Sequence, residues 1–172
     1  RLIALTFLAG AASAVLAFGV EVVLNTELIS FGIPPLTPAS LIILAFVEEF
    51  AKFAAAYLVV HRNRNFNEPV DAMIYMVVAA LGFATVENMG AITGNQSFTA
   101  TVSTAFETAS FRFIGATLLH TLASGILGYY WAISVREFRA QKPLLQGLIV
   151  ATGLHAFFNY LIIGYGNLMY SV

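Results

Sequence analysis

The sequence predicts an all-α protein, a polytopic transmembrane bundle of about five spanning helices. Of its 172 residues, 59% are hydrophobic and only 10% are charged, whereas a soluble domain has about 45–50% apolar and about 25% charged residues. Five segments approach the roughly 20 mostly apolar residues that a spanning helix needs. They cover about residues 2–24, 39–60, 70–93, 108–134 and 144–168. We therefore expect a single transmembrane domain over residues 1–172 that lies in a lipid bilayer.

The first span, about residues 2–24, has two interpretations. Ala12-Ser13-Ala14 resembles a signal-peptide cleavage site, but the apolar run continues to Leu24. Such a run is too long for a signal-peptide core, so we interpret it as a span. Glu21, near its outer end, is expected to reach the membrane interface. The next segment, residues 31–38, is rich in proline and is more consistent with a plain connector than with a re-entrant stretch. Residues 1–38 are therefore predicted to comprise the first span and an outer loop.

The cationic residues predict how the chain is oriented. Arg1 precedes span one, and Arg62 and Arg64 lie between spans two and three. Arg136, Arg139 and Lys142 lie between spans four and five. The opposite loops, about residues 25–38 and 94–106, contain no Lys or Arg. The positive-inside rule then places the N-terminus in the cytoplasm and the C-terminus outside.

Span two carries three ionisable residues at bilayer depth, where charges are costly and normally face a protein interior or a wet cavity. Glu48 and Lys52 are four residues apart, and Glu49 and Lys52 are three apart. One helical face can therefore hold a carboxylate beside an ammonium group. In span three, Glu87 is followed by Asn88.

Spans four and five contribute histidines. His155 and Asn159 are four residues apart, so their polar ends share a face of span five. His120 lies in span four, and Ser124 follows one turn later. This spacing suggests a serine nucleophile, but a serine in a membrane helix is more typically a packing residue. Arg112 is expected to anchor the outer end of span four or to pair with Glu107, and no catalytic role is assigned to it. We expect the polar groups of spans two to five to converge on one site at mid-to-outer depth.

The chemistry open to such a set is limited. Carboxylates and neutral histidines can activate water, and a Glu and His set can hold a zinc ion that ionises its bound water. His155 and Asn159 can instead donate hydrogen bonds to an oxyanion. The sequence has no cysteine, which excludes disulfides, thiolate metal sites and a cysteine nucleophile. A net charge of −1 provides no basic field for nucleic acid. The chain also lacks a His-Glu-x-x-His zinc motif, a Gly-x-Ser-x-Gly elbow and a Walker loop.

Four motifs in order along the chain resemble those of a known family. Residues 48–52 read Glu-Glu-x-x-Lys, and residues 83–88 read Phe-x-x-x-Glu-Asn. His120 begins His-Thr-Leu-Ala-Ser-Gly, and residues 155–159 read His-x-x-x-Asn. Their order, spacing and placement on consecutive spans resemble the PrsW family of intramembrane proteases, which is related to the CAAX prenyl endopeptidases and the bacteriocin-processing membrane proteases. The resemblance covers about residues 40–168, within a protease-like core over residues 39–172.

The resemblance implies a hydrolase that cuts a membrane-protein substrate within the bilayer. Bacterial members act in regulated proteolysis on anti-sigma factors, so a prokaryotic plasma membrane is expected. Glu48 and Glu49 would be the general base or a ligand, and His155 and Asn159 would bind metal or stabilise the oxyanion. Catalytic roles are implied for Glu48, Glu49, Glu87, His155 and Asn159, with support from Lys52, His120 and Asn88. If zinc is bound, the implied ligands are Glu49, Glu87, His120 and His155, with Glu48 a further candidate.

Two departures separate the chain from the CAAX relatives. Glu87 stands where those relatives have a histidine, and Lys52 replaces an arginine that they carry one position later. Both departures favour the PrsW branch. A metal-free mechanism, in which a glutamate activates the water, is argued for the CAAX relatives and stays open here.

Two other functions compete with proteolysis. Buried Glu and His residues also form relays in ion- or proton-coupled transporters. Transporters usually show paired repeats and broken helices, and five spans without visible repetition argue against one. The third possibility is a non-catalytic membrane scaffold that uses its polar groups for assembly.

Overall fold

The computed structural model describes residues 1–94, 113–137 and 140–169 of the chain. Within these residues the fold is all-α, as the sequence predicts. The helices are α1 (Leu2–Ser30), α2 (Pro38–Val60), α3 (Pro69–Gly94), α4 (Leu118–Arg136) and α5 (Gln141–Met169). A π-helical turn, Phe113–Thr117, leads directly into α4. The predicted start of the fourth span, with Arg112, and the outer loop from residue 95 to 106 lie outside the described residues.

Four helical segments among the described residues are long and apolar enough to cross a membrane: Leu2–Ser30, Pro69–Ala91, Gly115–Arg136 and Gln141–Gly164. The remaining helix, α2, has 23 residues and spans about 34 Å at 1.5 Å per residue. It differs from the other four because Glu48, Glu49 and Lys52 interrupt its apolar sequence. Glu49 and Lys52 are nevertheless fully buried, so α2 directs its charges into the bundle. The orientation of the two termini stays a prediction.

The first helix is longer than the sequence predicts. It continues past Leu24 to Ser30 and ends where Gly32 adopts a φ of 78°. The backbone N–H of Ile33 then donates to the carbonyl of Leu28 at 2.9 Å, as is typical of a helix that ends on a left-handed glycine. The following residues form a connector, which ends where Thr37 caps α2 by accepting a hydrogen bond from the backbone N–H of Ser40.

Glycines allow α1 and α3 to touch backbone to backbone. A Cβ atom added at Gly10 would lie 2.1 Å from the carbonyl oxygen of Ala79, and one added at Gly82 would lie 2.0 Å from that of Phe7. Real Cβ atoms do not approach so closely, and no rotamer change could move a backbone atom away. These glycines therefore bring the two helices into close contact at this level.

Gly82→Ala is expected to destabilise the protein by about 1–3 kcal/mol because the added methyl group forces α1 away from α3. The measurement is the free energy of unfolding in detergent micelles. Gly19→Ala is the matched control, since nothing lies within 4 Å of that position, and it should be neutral or slightly stabilising because alanine favours helix. Equal stability of the two variants would contradict the close contact.

Candidate active site

Helix α2 supplies a buried ion pair to the centre of the bundle. The Nζ atom of Lys52 lies 2.6 Å from Oε1 of Glu49, and both side chains are fully buried. The same oxygen lies 2.8 Å from Nδ1 of His155 on α5. On α4, Ser124 donates a 3.4 Å hydrogen bond to Oε2 of Glu49. Glu49 thus connects α2 to both α4 and α5.

The contact with Glu49 orients the ring of His155. Because a carboxylate accepts hydrogen bonds, Nδ1 of His155 carries the proton that it donates to Glu49. The other ring nitrogen, Nε2, lies 3.7 Å from Oε2 of Glu48. A histidine held by a carboxylate through one nitrogen and facing a site with the other is typical of zinc enzymes.

His120 is held in a similar way from two sides. Its Nδ1 atom lies 2.9 Å from Nζ of Lys52, and its Nε2 atom lies 2.5 Å from Oε2 of Glu87. An ammonium group only donates hydrogen bonds, so Nδ1 accepts from Lys52 and the proton on Nε2 is donated to Glu87. The rings of His120 and His155 meet edge to face, with centroids 5.0 Å apart.

Glu48 is the carboxylate that the cluster leaves unpaired. Its Oε2 atom is buried and has no hydrogen-bond partner among the described residues. It lies 3.7 Å from Nε2 of His155 and 4.0 Å from Nδ1 of His120. A buried carboxylate oxygen without a partner is costly, so this geometry indicates that a further group belongs here. One ligand atom from each of Glu48, His120 and His155 lies within 4.8 Å of the other two.

A cavity of about 560 Å³ opens onto Glu48 between α1, α2 and α3. Its walls are mainly apolar, with carboxylates from three helices. The lining residues are Ala14, Val15, Phe18, Glu21, Glu48, Phe83, Val86, Glu87, Gly90 and Ala91. This volume lies within the range of about 300–1,000 Å³ that is usual for ligand pockets.

The structure brings together six of the predicted site residues: Glu48, Glu49, Lys52, Glu87, His120 and His155. Asn88 donates a 2.9 Å hydrogen bond to Thr117 and so connects α3 to the turn before α4. Asn159 is half-buried one turn after His155, and no polar contact within the described residues joins it to the cluster.

Two residues to which the sequence analysis gives no role in the site also contact it. Glu21 was expected at the membrane interface, but it lines the cavity, and its Oε1 atom is buried without a hydrogen-bond partner in the described part of the chain. The rotation of α1 decides this, and no spacing in the sequence reveals it. Ser124 contacts Glu49, and its spacing of four residues from His120 was the available signal.

Comparisons with known proteins agree on one family. The family model described as PrsW family intramembrane metalloprotease matches residues 1–172. A Protease PrsW of Clostridioides difficile (strain 630) is 28% identical over 161 residues, which are 91% of this chain and 65% of that protein. A Protease PrsW of Halalkalibacterium halodurans is 30% identical over 160 residues, which are 92% of this chain and 68% of that protein.

A third relative, a Protease PrsW of Geobacillus kaustophilus (strain HTA426), is 28% identical over 120 residues. That match covers 69% of this chain and 49% of the relative. The chain thus spans about half to two thirds of the length of these curated relatives. No solved structure matches it.

Proposed function

This chain belongs to the PrsW family of intramembrane metalloproteases, and from that membership we propose that it hydrolyses a peptide bond in or near the transmembrane segment of another membrane protein. The membership confirms the resemblance carried by the four motifs, and it favours a protease over a transporter or a scaffold. An anti-sigma-factor-like protein is the proposed substrate. The proposed location is a prokaryotic plasma membrane, crossed several times with the N-terminus in the cytoplasm.

One observation supports the mechanism most strongly: the unpaired Oε2 atom of Glu48 faces two histidines at the wall of the cavity. A carboxylate in this position can take a proton from a water molecule that attacks a peptide carbonyl in the cavity. It can then return the proton to the leaving amine. The walls of the cavity are mainly apolar, and a peptide that fills such a cavity displaces water, which strengthens the electrostatic interactions inside it.

The other charged groups position the two histidines. Glu49 fixes the tautomer of His155 through Nδ1, and Lys52 and Glu87 fix that of His120. We assign Lys52 and Glu87 to positioning because each is bonded to a histidine. Asn159, one turn beyond His155, is the further residue that the family motif proposes for the oxyanion.

As an alternative to Glu48 acting as a free base, Glu48, His120 and His155 fit a zinc ion, because they offer one oxygen and two nitrogen atoms in a buried group with an unpaired carboxylate oxygen. When bound, zinc supplies a Lewis acid and lowers the pKa of its bound water to about 7. Glu49 and Glu87 would then orient His155 and His120 through hydrogen bonds. The family resemblance, by contrast, implies that these two glutamates are ligands. Lys52 has to release Nδ1 of His120 for that nitrogen to bind a metal.

Purified protein is expected to contain about one zinc ion per chain, and His155→Ala should lose it. The measurement is elemental analysis after gel filtration. His61→Ala is the control, because the His61 ring stacks on Tyr57 outside the cluster. A metal-free wild-type protein that cuts its substrate in the presence of chelator would contradict zinc and support glutamate-activated water.

The proteolytic function is tested with purified protein in liposomes that also contain single-pass reporter proteins carrying fluorescent labels at both ends. The reporters include the transmembrane segments of anti-sigma factors. We expect two fragments whose masses sum to that of the reporter plus one water molecule. Intact reporters across the whole panel, with protein that is folded and inserted, would contradict the proposed function.

A further inference from the structure

The first helix contributes an acidic side chain to the cavity. Glu21 lines the same cavity as Glu48 and Glu87, and its Oε1 atom is buried without a hydrogen-bond partner among the described residues. No family motif that the sequence displays includes α1. Glu21 therefore has no role in the proposed chemistry, although it faces the space where a substrate would lie.

Two of the carboxylates that line the cavity, Glu21 and Glu48, each have a buried oxygen atom without a hydrogen-bond partner among the described residues. The buried lysine beside the site, Lys52, is already paired with Glu49 and His120. Unpaired charges in a low-dielectric interior are costly. A cation on a bound ligand would stabilise the buried oxygen of Glu21 by reaching it.

A metal ion does not meet this need at Glu21. Within the described residues, the ligand atoms close enough to share one ion belong to Glu48, His120 and His155, and Glu21 is not among them. The wall around Glu21 is made of Ala14, Phe18 and other apolar side chains. A cation carried on an apolar chain suits this space better than a small hydrated ion.

We propose that Glu21 is a specificity-determining residue that binds a lysine or arginine side chain of the substrate, close to the bond that is cut. The aliphatic stem of such a side chain packs along the apolar wall while its charged end reaches the carboxylate. Because the cavity also contains Glu48, the basic residue lies within a few positions of that bond. Cleavage selectivity rests on the proposed protease function, whereas binding of the basic segment does not.

Selectivity is measured with pairs of reporters that differ at one position, where one reporter has lysine and the other has methionine. This position is moved along the transmembrane segment and its flanks from one pair to the next. At the best position we expect the lysine reporter to be cut about tenfold faster, the effect of one charge-assisted hydrogen bond. Glu21→Gln should bring the ratio of the two rates to about one. Glu27→Gln, an exposed glutamate on the same helix, should keep the full ratio.

A binding measurement keeps the proposal testable if no reporter is cut. A photo-crosslinking amino acid replaces Phe18, which lines the cavity, and labelled transmembrane peptides with lysine or methionine are added. The lysine peptide should crosslink about tenfold more at limiting concentration, and Glu21→Gln should abolish the difference. Cleavage absent but lysine-selective crosslinking present would reject only the protease function. A lysine-to-methionine ratio that Glu21→Gln leaves unchanged, in crosslinking or in cleavage, would overturn the role of Glu21.

Discussion

Glu48→Gln is expected to slow cleavage of a reporter by about 10²–10⁴-fold, the range for loss of a general base. Glutamine has the same shape as glutamate but cannot take a proton from water. The variant also removes a buried carboxylate oxygen that has no partner among the described residues, so folding should not be weakened. The measurement is the initial rate of reporter cleavage in liposomes at equal amounts of inserted protein.

Glu27→Gln is the matched control for this prediction, because the same chemical change is made at an exposed position on α1. It should leave the rate within about twofold of wild type, since surface changes have small effects. If Glu48→Gln retains the wild-type rate, Glu48 is not the base. A loss of rate that accompanies a lower unfolding temperature would instead assign Glu48 a structural role.

Lys52→Met is expected to cause the largest loss of stability, about 3–5 kcal/mol, because it leaves Glu49 as a buried charge without its ammonium partner. Lys52 and Glu49 are both fully buried and 2.6 Å apart. The double variant Glu49→Gln/Lys52→Met removes both charges and should recover most of the lost stability. The measurement is the free energy of unfolding in mixed micelles of four proteins: wild type, Lys52→Met, Glu49→Gln and the double variant.

The double variant decides between two interpretations of this pair. If the losses of the single variants simply add, the two side chains do not interact, and the ion pair is not formed in the membrane. Recovery in the double variant together with loss of cleavage would show that the pair positions the histidines rather than holds the bundle together.

The sequence predicts the helical class and the position of most helices well, because apolar runs and helix length are set by the bilayer. It also predicts that the charged residues of α2 face the interior of the bundle. Glu48, Glu49 and Lys52 share the middle of a 23-residue helix, where exposure to lipid would be costly. The sequence predicts that the first span ends near Leu24, where the apolar run stops, but α1 continues six residues further to Ser30 because the chain stays helical until Gly32 provides the left-handed turn.

The rotation of each helix about its axis is what the sequence does not provide. Glu21 faces the cavity rather than the interface because the close contact of α1 with α3 at Gly10 and Gly82 fixes how α1 is turned. The sequence also does not show which residues of the cluster pair with one another, since the neighbours Glu48 and Glu49 differ in their hydrogen bonding. Glu49 is bonded to Lys52 and His155, whereas Oε2 of Glu48 has no hydrogen-bond partner among the described residues.

The most direct test of a single water-activating site is a double-mutant cycle on cleavage rate with Glu48→Gln, His155→Gln and their combination. Residues that act as one catalytic unit are strongly non-additive. We therefore expect the double variant to be about as slow as the slower single variant. If the two losses multiply instead, Glu48 and His155 act independently, and the shared site is contradicted.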